Sequence, residues 1–500
     1  MERVAPRQVL YEQQLPLAIE STSSRRIFFP EGGANYGPSG GGTNPNIVRI
    51  PINADDLLDP QESFLQFKFT NNTNTTIGPD IGVPFIRRLR IESGGSTLED
   101  INEYGSLYAQ LVSCQASQGG FSEATLTTSG STGLNGTLSA NTYAQTDGAV
   151  STAVLGAIAG AGADQQAIAD AKAAATTVIR DAIRVGSDAK TITIGGQHVP
   201  NTKIGAGDSV FYNLPLVSAL LNCQKYLPLV FMNGGLTIEI EFDSAESCGV
   251  FAGAVNIPNA WTVSDVRYIA HMITLQRDFY DKLRMVMEGS GGVLQLAGTT
   301  YRHFQSSYPA GSNVSVPLPA KVKSMKGILF TEKNQADSNS ATLFNVSNSL
   351  INGTNEYQLR VGSVVHPPTS VKINNAGNVV TNKGEAYQEL RKLFGTLGDY
   401  THGGVALNDQ TYMAGDVDED HAATGIAGTT IGRLNPKGLS LDSFPRTNLE
   451  SGVNSADSNL SMSLELRSAG GPATVTRIDM WAMCDAIFYV NLDGSVSSSV

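Results

Sequence analysis

LTIEIEF (236–242) followed by VSDVRYIAHMITL (263–275), and LSMSLELR (460–467) followed by VTRIDMWAMCDAIFYV (475–490), are two versions of one pattern. In each, an alternating strand leads through a turn-rich gap to a longer, more apolar one. Leu236, Ile238, Ile240 and Phe242 alternate with Thr237, Glu239 and Glu241. Leu460, Met462, Leu464 and Leu466 alternate with Ser461, Ser463, Glu465 and Arg467. Successive side chains of a strand point to opposite faces, so this alternation predicts half-buried strands. The longer partner predicts a strand buried on both faces. The same ending recurs about 220 residues later, which predicts two similar β-domains in one chain.

Strand signals continue outward from these anchors. IVRIPI (47–52) precedes a turn predicted at Asn53–Pro60, and Leu65, Phe67 and Phe69 then alternate with Gln66, Lys68 and Thr70. FIRRLRIES (85–93) runs into Gly94–Gly95, a hairpin or strand end. In the second half, VLQLAGTTYRHF (293–304), then Val314, Val316 and Leu318, then SMKGILFTE (324–332) and YQLRVGSVVHPP (357–368) read as strands. Each half also carries one amphipathic helix. The first is predicted over Leu98, Ile101, Tyr104, Leu107, Tyr108 and Leu111, the second in GEAYQELRKLFGTL with Ala386, Leu390, Leu393, Phe394 and Leu397 on one face.

The expected fold class is all-β: two consecutive jelly-roll sandwiches with short helices and long loop insertions. Short strands separated by long loops fit that better than an up-and-down barrel. Residues 1–45 read as an N-terminal arm and Gly-rich loop, and 46–276 as the first jelly roll with an insertion at about 115–205. Residues 277–292 read as a charged helical connector, and 293–500 as the second jelly roll with a loop insertion at about 398–437. The first insertion is Ser/Thr/Gly-rich and then Ala-rich, with helix propensity in its Ala-rich part. Asp164, Gln165, Gln166, Asp170 and Lys172 interrupt it, which favours a packed or decorating segment over a membrane-active one.

Only 16% of the residues are charged, against roughly a quarter in an average soluble protein. A low surface charge suits a protein covered by neighbours, and suits a loop-rich monomer equally. The net charge of −12 offers no electrostatic attraction for nucleic acid. A basic bias exists only in the first 26 residues, at Arg3, Arg7, Arg25 and Arg26, in a segment that reads as a terminus or as an arm reaching a neighbour. Cys114, Cys223, Cys248 and Cys484 are scattered and make neither a disulfide framework nor a zinc site. No run of 18 apolar residues exists, and MERVAPRQVLYEQQ lacks a signal-peptide pattern, so synthesis without a secretory signal is expected.

No constellation for chemistry emerges. Gly37-Pro38-Ser39-Gly40-Gly41 matches GxSxG formally, but a nucleophile elbow needs a strand before it and a helix after it. His198, His271, His303, His366, His402 and His421 are widely separated, with no HxH or HExxH spacing. His271, on a predicted strand, reads as a core histidine. Asp416, Asp418, Glu419 and Asp420 read as a solvated acidic loop and not as a calcium loop. No phosphate-binding glycine motif is present. The expectation is therefore a non-enzyme with no catalytic, cofactor-binding or metal residues and no cofactor.

FYNLPLVSALLNCQKYLPLVFMNGGLTIEIEF (211–242) resembles the major capsid proteins of double-jelly-roll DNA viruses, through Leu227, Pro228 and Leu229 and then Thr237 to Phe242. IRRLRIESGGSTLEDINEYGSLYAQL (86–111) looks like the first-domain strand and helix of the polinton-like virus and virophage branch of that group, which also includes large DNA viruses. SFPRTNLESGVNSADSNLSMSLELR (443–467) looks like the matching second-domain stretch. The resemblance is one of pattern and order over most of residues 45–490, and the insertion at 115–205 follows no family pattern.

This resemblance implies a structural protein of the virion capsid. Three chains would form a capsomer of pseudo-sixfold outline, and capsomers would tile an icosahedral shell. Its partners would be itself, penton and minor capsid proteins, and an inner membrane beneath the shell, with no sequence-specific binding of nucleic acid. The insertions would supply outward towers or subunit contacts. The alternative is a viral spike or carbohydrate-binding β-sandwich, since jelly rolls host lectins as readily as shells. A lectin would expose aromatic residues on loops, whereas Trp261 and Trp481 lie at or in the closing strands.

Overall fold

The structure, a computed structural model, describes residues 20–40, 42–74, 77–79, 83, 85–115, 192–194, 197–199, 204–223, 225–251, 258–289, 291–309, 313–335, 346, 348–350, 354–376, 379–394, 431–433, 436–442, 452–456, 460–467 and 475–500. Most of the insertion at 115–205 and of the loop at 398–437, the acidic run at 416–420 and Arg3 and Arg7 lie outside the described residues.

Eight strands build the first sandwich: β1 (Ser21–Phe28), β2 (Ile47–Ile52), β3 (Leu57–Asn71), β4 (Ile86–Ser93), β5 (Ser96–Asn102), β6 (Ser209–Leu214), β7 (Leu236–Phe242) and β8 (Trp261–Leu275). One sheet has the order β1-β8-β3-β6 and the other β2-β7-β4-β5, antiparallel throughout. Eight more strands follow: β9 (Val293–Tyr308), β10 (Val314–Pro317), β11 (Met325–Asn334), β12 (Glu356–Val361), β13 (Val364–Lys372), β14 (Lys437–Ser440), β15 (Met462–Arg467) and β16 (Thr476–Asn491). Their sheets are β9-β16-β11-β14 and β10-β15-β12-β13. Adding eight to each strand number of the first sandwich reproduces the second. Each is a jelly roll, and the chain is a double jelly roll.

The alternation that marked the strands is the packing. β7 buries Leu236, Ile238, Ile240 and Phe242, and β15 buries Met462, Leu464 and Leu466. The polar positions face outward and pair across the sheet, with Arg49 2.9 Å from Glu92 and 3.2 Å from Glu239. An aromatic cluster fills the first core. Phe85 meets Tyr212 at 5.0 Å and Phe69 at 5.3 Å, and Phe69 meets Trp261 at 5.5 Å between ring centroids. Trp481 is likewise buried in the second half. The long strands differ, however. β16 is buried on both faces from Ile478 to Cys484 and alternates from Asp485 on, so the expectation holds for its first half, whereas β8 leaves His271, Ile273, Thr274 and Leu275 half-exposed.

Three expectations are corrected. Residues 21–28 are not part of an arm: they form β1, paired with β8 from Ser21↔Leu275 to Phe28↔Tyr268. STSSRRIF shows no alternation because this edge strand is exposed on both faces. The turn expected at Asn53–Pro60 ends earlier, and β3 begins at Leu57. Pro60 is tolerated there because the β3–β8 register shifts between Phe64↔Ile269 and Asp59↔His271, so no ladder bond needs its missing N–H. The first helix, α1 (Tyr104–Gln115), starts later than its apolar spacing implied. Leu98 and Ile101 belong to β5, because Gly94 and Gly95, with φ of 55° and 83°, turn the chain back onto β4 as a tight hairpin.

The connecting helix α2 (Arg277–Gly289) joins the two sandwiches, and α3 (Gly384–Leu393) buries Ala386, Leu390 and Leu393. A last strand, β17 (Val496–Ser499), folds back on β16. No helix among the described residues is long and apolar enough to cross a membrane.

Candidate functional site

Among the described residues, the most elaborate polar chemistry lies where the two sandwiches meet. Glu99 on β5 is buried. Its carboxylate accepts the Ala219 N–H at 3.0 Å, the Ser218 hydroxyl, and across the seam the Thr300 hydroxyl of β9 at 2.6 Å. Burial raises its pKa, against the opposing pull of those hydrogen bonds. Beside it Gly298 of β9 packs so closely that a Cβ there would sit 2.3 Å from the Ala219 carbonyl oxygen. Further along, Asn233 of the first half donates to the Asp493 carbonyl at 2.6 Å, and its N–H donates to the Gly494 carbonyl at 3.1 Å.

A second group of charges closes the other end of the seam. Arg477 on β16 bridges Asp479, at 3.0 Å, and Glu103 of the first half, at 3.3 Å. Lys333 on β11 donates to the Ser106 hydroxyl of α1 at 3.2 Å and to the Val346 carbonyl at 3.3 Å. His303 Nε2 lies 3.1 Å from Asp479 Oδ1. Burial alone would raise the Asp479 carboxyl, but the His303 hydrogen bond and the Lys333 and Arg477 charges hold it at about 2. Within the second core, burial also opposes ionisation of Glu332. Lys437, with help from Thr354 and Tyr308, outweighs it and lowers the Glu332 pKa. A buried pair loses hydration that its attraction only partly restores, so such groups fix a geometry more than they add stability.

These groups can lock two sandwiches at one mutual orientation. Each is engaged with its neighbours. Ser39 makes a bridge with Ser244 and is followed by a turn at Gly40 and not by a helix, so the GxSxG match is not an elbow. His271 lies on β8 opposite Asp59 and Arg25, half-buried on the outward face and not in the core. His303 and His271 sit in different sandwiches, and among the described residues no group of three or more His, Cys, Asp or Glu could hold a metal ion. Cys223, Cys248 and Cys484 are buried free thiols. Burial raises Cys223 to about 11 and Cys484 to about 12.

Sequence reasoning had no access to the seam. Glu99 and Thr300 are far apart in the chain, and Glu99 sat in a stretch read as helix. One signal was present, a glycine inside the strand VLQLAGTTYRHF, since an interior strand glycine often marks the close approach of another backbone.

No protein-family model matches the chain, and no curated protein sequence does. Solved structures do. The chain is similar to VP54 of PBCV-1, as fitted into a reconstruction of the virophage Sputnik, with 10% identity and a TM-score of 0.51 over 98% of this chain and 99% of that one. It is also similar to a chain of the PBCV-1 virus capsid, with 10% identity and a TM-score of 0.54 over 98% and 99%. At such identity the likeness is one of fold, and it runs through both sandwiches.

Proposed function

We propose that this chain is the major capsid protein of a DNA virus, a structural subunit without enzymatic activity. Three copies would form a capsomer of pseudo-sixfold outline, and capsomers would tile an icosahedral shell. One observation carries the reading. The chain holds two jelly rolls of identical strand order, locked to one another by buried polar contacts, in a fold similar end to end to a chain of a virus capsid. Two like blocks per chain supply six from three chains, and six near-equivalent blocks fill a hexagonal tile.

Composition is compatible with the same reading. Charge is sparse, which suits extensive contact with neighbours, and obligate interfaces resemble a domain core cut in half. The net charge of −12 gives the shell no basic lining for DNA, so an inner layer or membrane would separate it from the genome. Penton and minor capsid proteins would complete the particle. A carbohydrate-binding spike gains no support from the tryptophans, since Trp261 and Trp481 are both buried.

The test is the solution mass of the recombinant chain, with negative-stain images. Trimers of hexagonal outline, or shell-like particles, are expected. A stable monomer that binds glycans would overturn the reading in favour of the spike.

A further inference from the structure

The two sandwiches are built alike but covered differently. β9, the first strand of the second sandwich, is clasped by the first: β5 lies against it, Thr300 meets Glu99, and Gly298 meets Ala219. The outward side of β16 beside it holds Asp479 and Trp481 fully buried. β1 is the same strand of the first sandwich, and it lies open. Seven of its eight residues, Ser21 to Ile27, are exposed. Ile27 is 42% exposed and the following Phe29 64%, which leaves an apolar patch at this edge. On the adjoining β8, His271 and Ile273 are only half-buried.

The covering strand has a counterpart as well. β5 is the outer strand of its sheet, and β13 is the outer strand of the matching sheet in the second sandwich. β13 also lies open: Val364 is 54% exposed, and Pro368, Thr369 and Lys372 are exposed. Each chain therefore satisfies one contact between a β5-type edge and a β9-type edge internally. Among the described residues the other member of each pair, β13 and β1, is unfilled.

We propose that β1 of one copy is clasped by β13 of a second copy, as β9 is clasped by β5 within the chain. The occupant of the open edge is thus a second copy of this protein, and the proposal rests on the capsid reading for closure of the ring at three copies. Chemistry at the two edges agrees with this. β1 carries the exposed Arg25, Ile27 and then Phe29, with Arg26 already paired to Asp56, while the β13 edge carries Val364 and, at its far end, the exposed Lys372 beside Glu385, whose carboxylate accepts the Lys372 N–H at 3.2 Å. Pro367 and Pro368 deny β13 two ladder donors, so the contact forms through side chains and not by adding a strand. Such a contact is head-to-tail: its two faces differ, and it closes into a ring only when the rotation per copy allows.

The test uses three double variants of the full chain, Ile27→Glu with Phe29→Glu on the β1 edge, Val364→Glu with Thr369→Glu on β13, and Met285→Glu with Val286→Glu on the exposed side of α2. Mass is read by sedimentation and folding by circular dichroism. Wild type and the α2 variant are expected as trimers. Each edge variant is expected as a folded monomer. A one-to-one mixture of the two edge variants is expected to form dimers and nothing larger, because one intact β1 edge and one intact β13 edge remain. An edge variant that stays trimeric, or two monomeric variants that ignore each other, overturns the contact while leaving the capsid reading intact. A monomeric wild type overturns both. Should either glutamate pair prevent folding, Ile27→Ser and Val364→Ser give the same readout.

Discussion

The Thr300 hydroxyl of the second sandwich donates to the buried Glu99 carboxylate of the first at 2.6 Å. Ser218 and Ala219 donate to the same carboxylate from within the first sandwich. Glu99→Ala therefore strands three donors at a dry seam, where each unsatisfied group costs roughly 1–3 kcal/mol. A loss of about 3 kcal/mol or more in unfolding free energy is expected by urea titration. Thr300→Val, which removes one donor and keeps the shape, should cost about 1 kcal/mol. Equal effects of the two substitutions would mean that Glu99 acts through the Thr300 contact alone.

Gly298 tests how closely the sandwiches must approach. A Cβ at this position would lie 2.3 Å from the Ala219 carbonyl oxygen and 2.9 Å from its carbon, both backbone atoms that cannot rotate away. Gly298→Ala should destabilise by about 1–3 kcal/mol, the usual range for overpacking a well-filled site. It should also expose the α2 connector to limited proteolysis as the seam opens. Gly289→Ala is the control. Nothing lies within 4 Å of a Cβ there, and its effect should stay within about 1 kcal/mol.

Much of the strand plan is legible in the sequence, because burial of one sheet face imposes a period of two. β7, β15 and the core around Trp261 follow from it. β1 is not legible for the opposite reason: with both faces exposed, STSSRRIF has no alternation to read. β5 was misread because Leu98, Ile101 and Tyr104 keep a spacing of three across a strand end, the Glu103 turn with its φ of 51°, and a helix start. The seam could not be read at all. Whether a glutamate in one half meets a threonine in the other depends on how two finished sandwiches dock, and local pattern carries no record of that. Gly298 was the exception, a visible gap in a strand whose reason lies across the seam.

Asp243, which follows β7, makes stability depend on pH in one direction. Burial, and then the nearby Glu103 charge, raise its pKa from 3.8 to about 6. The folded chain therefore holds this proton more tightly than the unfolded chain does. Stability falls as pH rises from about 4 to about 6 and is level beyond, by about 3 kcal/mol in all if the shift is fully realised. Asp243→Asn keeps an oxygen for the Ser244 N–H, which now donates to Oδ1 at 2.7 Å. It should flatten the pH 4–6 segment of the stability curve, and a slope unchanged in the variant would assign the effect to another group.

Asp479 gives the opposite slope at lower pH. Burial opposes its ionisation, yet the hydrogen bond from His303 and the charges of Lys333 and Arg477 hold it at about 2, below its ordinary 3.8. Its contribution is present in full above pH 4 and is lost as pH falls towards 2, about 2 kcal/mol in total. Asp479→Asn should abolish that acid-side loss relative to wild type. At pH 6 the same variant should be less stable by about 2 kcal/mol or more, since buried Lys333 and Arg477 would each lose the Asp479 charge, Arg477 keeping only its bridge to Glu103. Because Arg477 also reaches Glu103 across the seam, the second substitution Glu103→Gln should be non-additive with Asp479→Asn in a double-mutant cycle. Strict additivity would mean that the charge cluster inside the second sandwich and the bridge to the first act separately, and that Asp479 has no part in holding the two jelly rolls together.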